Sequence, residues 1–434
     1  MSELLLDVLN RIEPRVYTGR VVEAWGTLIH VTGVPAKIGD ICRLRDPANG
    51  NELLAEAVGI KHHITLLNPL GTMEGVSNTM LVEVIEGAST VPVGRELLGR
   101  VLDSQGLPLD GKPPPNCAHR AAIYAAAPDP MKRLPVDKAF STGVQAIDSM
   151  LTLGLGQRAG IFAMAGGGKS TLLGMLARGS ESDVNVVVLI GERGREVREF
   201  IDESLGAEGL AKSVVLVSTS DRPALERCRV ALVGTAIAEY FRDKGLRVLL
   251  MMDSVTRYAR ALRDIGLALG EPPVRRGFTP SVFSQLPRLF ERAGNNEKGY
   301  ITGIYTVLAE DEHDGEDPVT EEVRSLLDGH IVLSRKLAAA AHYPAIDVLA
   351  SASRVMHNVT TPEHRQKAAR VRALMSKYKE VELLLQVGEY KKGTDGQADD
   401  AIRAAPMIGG LLKQDSTVVT PYARTLELLE RAVS

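Results

Sequence analysis

Apolar and polar positions change rhythm three times along this chain, and each change predicts a different architecture. Through residues 16–86 the apolar runs are short, β-rich and cut by turn residues. Val21-Val22-Glu23-Ala24-Trp25-Gly26-Thr27-Leu28-Ile29-His30-Val31 ends at Thr32-Gly33, Ile41-Cys42-Arg43-Leu44 stops at Asp46-Pro47-Ala48-Asn49-Gly50, and Met80-Leu81-Val82-Glu83-Val84-Ile85 follows. This spacing predicts a small antiparallel barrel or sandwich with no long helix inside it. Residues 106–135 carry Pro108, Pro113-Pro114-Pro115, Pro128, Pro130 and Pro135. They predict an extended linker, a candidate for a domain boundary, because proline fixes φ and removes a donor.

From residue 159 the runs become continuous and apolar: Ile161-Phe162-Ala163-Met164, 184–190, Val214-Val215-Leu216-Val217 and Val248-Leu249-Leu250-Met251-Met252. Helical patterns over 195–205 and 224–242 separate them, which predicts a parallel sheet covered on both faces. The last stretch, 361–434, reads as mostly helical. The chain thus divides into an N-terminal segment with a small β domain (1–90), an α/β domain (91–360, including the linker 106–135) and a helical C-terminal domain (361–434).

Composition narrows the function. The 434 residues are 44% hydrophobic and 24% charged, with a net charge of −3. That balance fits a globular protein of about three domains and gives no global attraction to nucleic acid. Aromatic residues, at 4%, are too few for base-stacking platforms. A ring-shaped nucleic-acid translocase would need a basic, aromatic N-terminal domain, whereas residues 16–86 hold only Trp25 and Tyr17. The longest stretch without an acidic or basic residue is 13 residues, 24–36, short of the ~20 a spanning helix needs. No signal peptide is evident at Met1-Ser2-Glu3, and Cys42, Cys117 and Cys228 are odd in number and scattered, so a reducing cytoplasm is expected.

The chemistry centres on Ala163-Met164-Ala165-Gly166-Gly167-Gly168-Lys169-Ser170-Thr171. Three glycines let backbone N–H groups converge on an anion, and the helix that follows adds its dipole. This predicts a nucleotide site of the P-loop type. Lys169 would reach the β- and γ-phosphates of ATP, and the Ser170 hydroxyl would ligate Mg2+. Ala163 stands where the motif usually has Gly, a position that shapes the turn rather than touching phosphate.

Asp253 ends a run of apolar residues and is the candidate carboxylate supporting Mg2+, although it also fits a helix N-cap. Glu192 and Arg193 end another buried run, 184–190, where ligands gather in such sheets. Glu192 is the candidate base, with a surface ion pair as its alternative reading. Arg257, Arg260 and Arg263 share one helix face, read as solvated. The cluster Glu310-Asp311-Glu312-His313-Asp314 also reads as solvated rather than metal-binding.

Taken together, these motifs resemble the type III secretion ATPases, relatives of the catalytic and regulatory subunits of rotary ATP synthases. The resemblance rests on Gly94-Arg95-Glu96-Leu97-Leu98-Gly99-Arg100-Val101-Leu102-Asp103, on Gly106-Leu107-Pro108-Leu109-Asp110-Gly111, and on Pro344-Ala345-Ile346-Asp347-Val348-Leu349-Ala350-Ser351-Ala352-Ser353. Gly270-Glu271-Pro272-Pro273 and Pro280-Ser281-Val282-Phe283 resemble the secretion branch specifically, and Asp347-Val348-Leu349 looks closer to injectisome members than to flagellar ones.

The resemblance implies a RecA-like core between a β-barrel and a C-terminal helical domain. It implies that Glu192 activates the attacking water with Arg193 beside the phosphates, that Tyr343 packs on adenine, and that Arg354 reaches a neighbouring subunit's nucleotide as an arginine finger. A homohexamer is then expected, with a central coiled-coil stalk protein facing positions 270–287, a peripheral-stalk regulator, and export chaperone–substrate complexes as partners. The expected place is the cytoplasm, at the inner-membrane secretion apparatus. Residues 1–15 have the apolar spacing of an amphipathic helix that would dock a peripheral-stalk partner or the bilayer, with a frayed terminus as the alternative reading.

Overall fold

The computed structural model describes residues 17–433 except 86, 88, 165 and 309–316. The candidate helix at 1–15 and the acidic cluster at 310–314 therefore lie outside the described residues.

The first part is a closed antiparallel barrel of β1 (Gly19–Trp25), β2 (Leu28–Thr32), β3 (Ile41–Arg45), β4 (Glu52–Lys61), β5 (Ile64–Pro69) and β6 (Leu81–Ile85), in the order β1-β2-β5-β4-β3-β6. Alternation fills it: Ile29, Val31, Cys42, Leu44, Ala55, Ala57, Leu67 and Val82 point inward and are buried. Closure pairs every edge, so the strands need no covering helix. The predicted turn at residue 46 is held by the Asp46 carboxylate, which accepts from the Ala48 N–H at 2.9 Å.

The central part is built on β7 (Arg100–Leu102), β8 (Arg158–Ala163), β9 (Val184–Glu192), β10 (Ser213–Thr219), β11 (Arg247–Asp253), β12 (Tyr300–Leu308), β13 (Gly329–Leu333) and β14 (Ala352–Ser353). Their order is β14-β13-β8-β12-β11-β9-β10-β7, parallel except for the edge strand β14. Every residue of β9 is buried, as both covered faces require. On one face pack α3 (Ala224–Asp243), α4 (Val255–Ala268) and α5 (Pro280–Phe290). On the other lie α1 (Lys169–Gly179), α2 (Gly194–Glu199) and parts of α6 (Pro362–Gln386), α7 (Gly396–Leu412) and α8 (Tyr422–Val433). In register, Leu189 faces Asp253 and Ala163 faces Leu308, so the P-loop, Glu192 and Asp253 all emerge at one end of the sheet.

Two expectations change. The proline-rich stretch does not stand between two bodies, because β7 already belongs to the large sheet before it begins. Within it, His119–Ala122 pairs with Thr90–Val93, and Arg133 donates to the Ala293 carbonyl at 2.9 Å. The apolar content of positions 270–287 is also not all on the surface: Phe278 and Val282 are buried, whereas Val274, at 58%, is largely exposed within a run, 272–277, that is exposed throughout. The helix α5 carries Pro287 in its interior, which forgoes the one backbone bond its missing N–H would make.

Candidate active site

The carboxyl ends of β8, β9 and β11 and the start of α1 enclose a cleft of about 460 Å³, lined among others by Gly166, Gly168, Lys169, Ser170, Thr171, Glu192, Arg193, Asp253 and Arg257. The P-loop glycines are needed where they stand. Gly166 and Gly168 have φ of 79° and 81°, a region that costs a side chain roughly 1–2 kcal/mol. Gly167 lies so close to the Met164 carbonyl that an added Cβ would be 3.2 Å from it. Gly168 then serves as N-cap of α1, with no side-chain cap bond to compete for the free N–H groups.

Lys169 is the hub. Its ammonium donates to Asp253 and lies 3.6 Å from Glu192 Oε1. Burial alone would lower its pKa, but the Asp253 and Glu192 carboxylates outweigh burial and raise it, so it stays charged. Asp253 also accepts from the Thr306 hydroxyl at 2.7 Å, which fixes the carboxylate at the end of β11. The neighbouring N-cap role belongs to Ser254, whose hydroxyl accepts from the Arg257 N–H.

Glu192 is nearly buried, and burial pushes its pKa up while Lys169 and Arg257 pull it down. Its Oε1 is buried without a hydrogen bond. Held in ion-pair range by Lys169 and Arg257 at the mouth of the cleft, this carboxylate is placed to accept a proton from a group bound there. Arg193 is at the rim, 77% exposed and paired with Glu196 at 3.1 Å.

The arginine row on α4 is not simply solvated. Arg257 reaches into the cleft with Nε 3.5 Å from Glu192 Oε1, and Arg263 lies over the Phe278 ring at 5.5 Å. Gly191, with φ 68°, makes room: a Cβ there would be 2.7 Å from Arg257 Cδ. Reading the sequence for solvation missed Arg257. The available signal was its position four residues after Asp253, one helical turn beyond the strand end, on the same side as the cleft.

Tyr343 and Arg354 are placed differently. The Tyr343 ring lies 3.6 Å from where a Cβ on Gly168 would be, and the residue is 46% exposed. Arg354 follows β14 at the sheet edge, exposed, donating to the Arg324 carbonyl at 3.3 Å. It does not line this cleft. Lys169, Ser170, Thr171, Glu192, Arg193 and Asp253 therefore meet in one cavity, and Arg354 is directed elsewhere.

For the metal, Ser170 and Asp253 offer hydroxyl and carboxylate oxygens at the cleft, the hard donors Mg2+ prefers. Among the described residues no group of three or more His, Cys, Asp or Glu is arranged as a metal cage. That fits an ion held mostly by water and phosphate. Among them, too, no helix is long and apolar enough to cross a membrane.

Comparison with known proteins is consistent with this geometry. Residues 143–353 match the ATP synthase alpha/beta family, nucleotide-binding domain, and residues 360–431 match the T3SS EscN ATPase C-terminal domain. The chain is 56% identical over 411 residues to the type 3 secretion system ATPase of Xanthomonas euvesicatoria, covering 95% of this chain and 93% of the relative. It is 47% identical to the flagellum-specific ATP synthase of Bacillus subtilis, covering 95% and 94%. Its fold is similar to the assembled ATPase EscN of the enteropathogenic E. coli type III secretion system, with a TM-score of 0.89 at 48% identity over 96% of this chain and 100% of that one. A second structure of EscN, in complex with its central stalk EscO, matches with a TM-score of 0.88 at 47% identity, covering 96% of this chain and 100% of that one.

Proposed function

Since the chain belongs to the family of type 3 secretion system ATPases and is an ATPase, we propose that it is the homohexameric motor that energises protein export through an injectisome. The observation that carries this reading is the division of labour around Lys169: one chain gathers Lys169, Glu192 and Asp253 in a cleft and turns Arg354 away from it. A cleft whose own cations are Lys169, Arg193 and Arg257, with Arg354 outside it, leaves the finger's place to another chain. In the proposed ring, Arg354 of each subunit completes the site of the next, supplying the fixed positive charge that phosphoryl transfer needs.

In the occupied site, Lys169 leaves its carboxylates for the β- and γ-phosphates, and Gly166, Gly167 and Gly168 cradle them. Thr171 lies beside Ser170 at the helix start. Ser170 and Asp253 hold Mg2+, which neutralises phosphate charge when bound. Glu192 accepts the proton of the attacking water, Arg193 meets phosphate from the rim, and Tyr343 packs on adenine. The cycle would release export substrates from chaperones and unfold them.

As EscN has been solved with a central stalk, EscO, a coiled-coil stalk protein is the expected occupant of this ring's centre, with a peripheral-stalk regulator on its outside. The working place is the cytoplasmic side of the inner-membrane secretion apparatus. Identity to the Xanthomonas secretion ATPase, 56%, exceeds the 47% to the flagellar protein of Bacillus subtilis, which favours the injectisome over flagellar export. Deleting the gene in its own bacterium should abolish export of needle components and spare swimming. Lost swimming with intact needle export would assign it to the flagellum.

A further inference from the structure

The segment that ends in Arg354 has its polar side chains turned onto backbone, its own and that of adjoining strands. Asp347 Oδ1 accepts the N–H groups of Leu349 and Ala350, each at 3.0 Å. Ser351 Oγ donates to the Asp347 carbonyl at 2.6 Å and accepts the Val332 N–H at 2.9 Å. Ser353 Oγ donates to the Thr152 carbonyl at 2.9 Å and accepts from the fully buried Gln157 amide at 3.3 Å. That amide also donates to the Asp328 carbonyl, which accepts the Arg354 N–H itself; both bonds are 2.9 Å. The Pro-x-x-Asp-x-x-x-Ser-x-Ser pattern is thus a frame for one backbone position.

One member of the frame comes from outside it. Arg372, on α6 of the C-terminal domain, donates Nη1 to the Val348 carbonyl at 2.6 Å and Nη2 to those of Ser351 and Met150 at 3.3 and 3.2 Å. Among the described residues no carboxylate is in ion-pair range of it. A partly buried cation without a counter-charge is costly, and what it gains here is shape: a planar fork reaching three carbonyls that face different ways. Two of those carbonyls bracket the turn three residues before Arg354, and the third closes the helix Gln145–Met150 just upstream of β8 and its phosphate loop.

We propose that Arg372 is a positioning residue for Arg354, the point through which the C-terminal helices set how the finger is presented to the neighbouring subunit. The proposal rests on Arg354 acting in trans. Without the fork, the turn at residues 348–351 is free to shift, and a displacement of about 1 Å at a charge-stabilising group costs up to ~100-fold in rate. A lysine supplies one donor atom instead of two and cannot span the carbonyls.

The test is turnover of full-length Arg372→Gln and Arg372→Lys proteins, alone and in mixed rings. Each variant should lose about 10- to 100-fold in kcat with little change in KM for ATP. Mixed in equal amounts with Glu192→Gln subunits, which have an intact finger and a dead site, Arg372→Gln subunits should recover. Random heterologous assembly pairs a good site with a good finger at about a quarter of interfaces, so about a quarter of wild-type turnover is expected. Mixed with Arg354→Ala subunits they should not recover. A merely structural defect in the Arg372→Gln subunit's own site, with its finger intact, would leave the Glu192→Gln mixture inactive and let the Arg354→Ala mixture recover to about a quarter of wild-type turnover, which overturns the proposal. The proposal is overturned if Arg372→Gln turns over at the wild-type rate, or if Glu192→Gln subunits rescue Arg354→Ala but not Arg372→Gln. Should Arg354→Ala also fail to be rescued, the trans reading falls and takes the positioning role with it.

Discussion

Replacing Glu192 by Gln should separate chemistry from binding in opposite directions. The carboxylate lies 3.6 Å from the Lys169 ammonium and has one oxygen buried without a hydrogen bond. Gln keeps the shape and removes the base, so kcat should fall by about 10²- to 10⁴-fold. Nucleotide binding should improve. At 3.6 Å a unit pair attracts by about 4–5 kcal/mol at the effective dielectric of a partly buried site, and this attraction competes with phosphate for Lys169. The side chains are 14% and 9% exposed and an open cleft screens them, so about 1 kcal/mol of it is expected to be realised. Removing it should tighten ATP binding about fivefold. Single-turnover phosphate release and equilibrium binding of a fluorescent ATP analogue measure the two effects. A kcat within threefold of wild type would show that Glu192 is not the base, and weaker ATP binding would show that Lys169 is not held in reserve by it.

Three more expectations follow from contacts at the cleft and beneath the barrel. Burial raises the Glu192 pKa and Arg257 opposes that rise, so kcat should fall as pH drops through the raised value. Arg257→Gln should move this acid limb to higher pH; a limb that stays put or moves down contradicts the contact. Gly191→Ala, with φ 68° and a Cβ 2.7 Å from Arg257 Cδ, should cost about 1 kcal/mol in urea unfolding and shift the limb in the same direction. Arg229 and Glu56 pair at 2.9 Å with side chains 4% and 5% exposed, joining α3 to the barrel. Arg229→Ala leaves a buried carboxylate behind, so urea unfolding should show a loss of about 3–5 kcal/mol. A loss under 1 kcal/mol would mean that water reaches Glu56.

Where one physical rule acts locally, the sequence was sufficient. Continuous apolar runs ending in Glu192 and Asp253 gave the parallel sheet and its functional end, because a strand buried on both faces has no other pattern. Short alternating runs gave the barrel. What was not legible was three-dimensional direction. Arg257 and Arg263 have the same i+3 spacing as any solvated helix face, and only the packing of α4 beside β9 turns Arg257 toward Glu192. Proline-rich composition likewise reports a missing donor at 106–135, but not that the segment lies along the core, held by Arg133 and by strand pairing. Arg372 carries no local motif at all; the carbonyls it reaches lie 21 and 24 residues before it, at Ser351 and Val348, and 222 residues before it, at Met150.

The claim on which the function rests is that a nucleotide is hydrolysed by groups from two chains, and ATP turnover per subunit as a function of protein concentration tests it most directly. The rate should climb steeply with concentration as rings form, and Arg354→Ala should flatten that climb while ATP binding persists. A per-subunit rate that is constant on dilution, and unchanged by Arg354→Ala, would mean that each chain completes its own site.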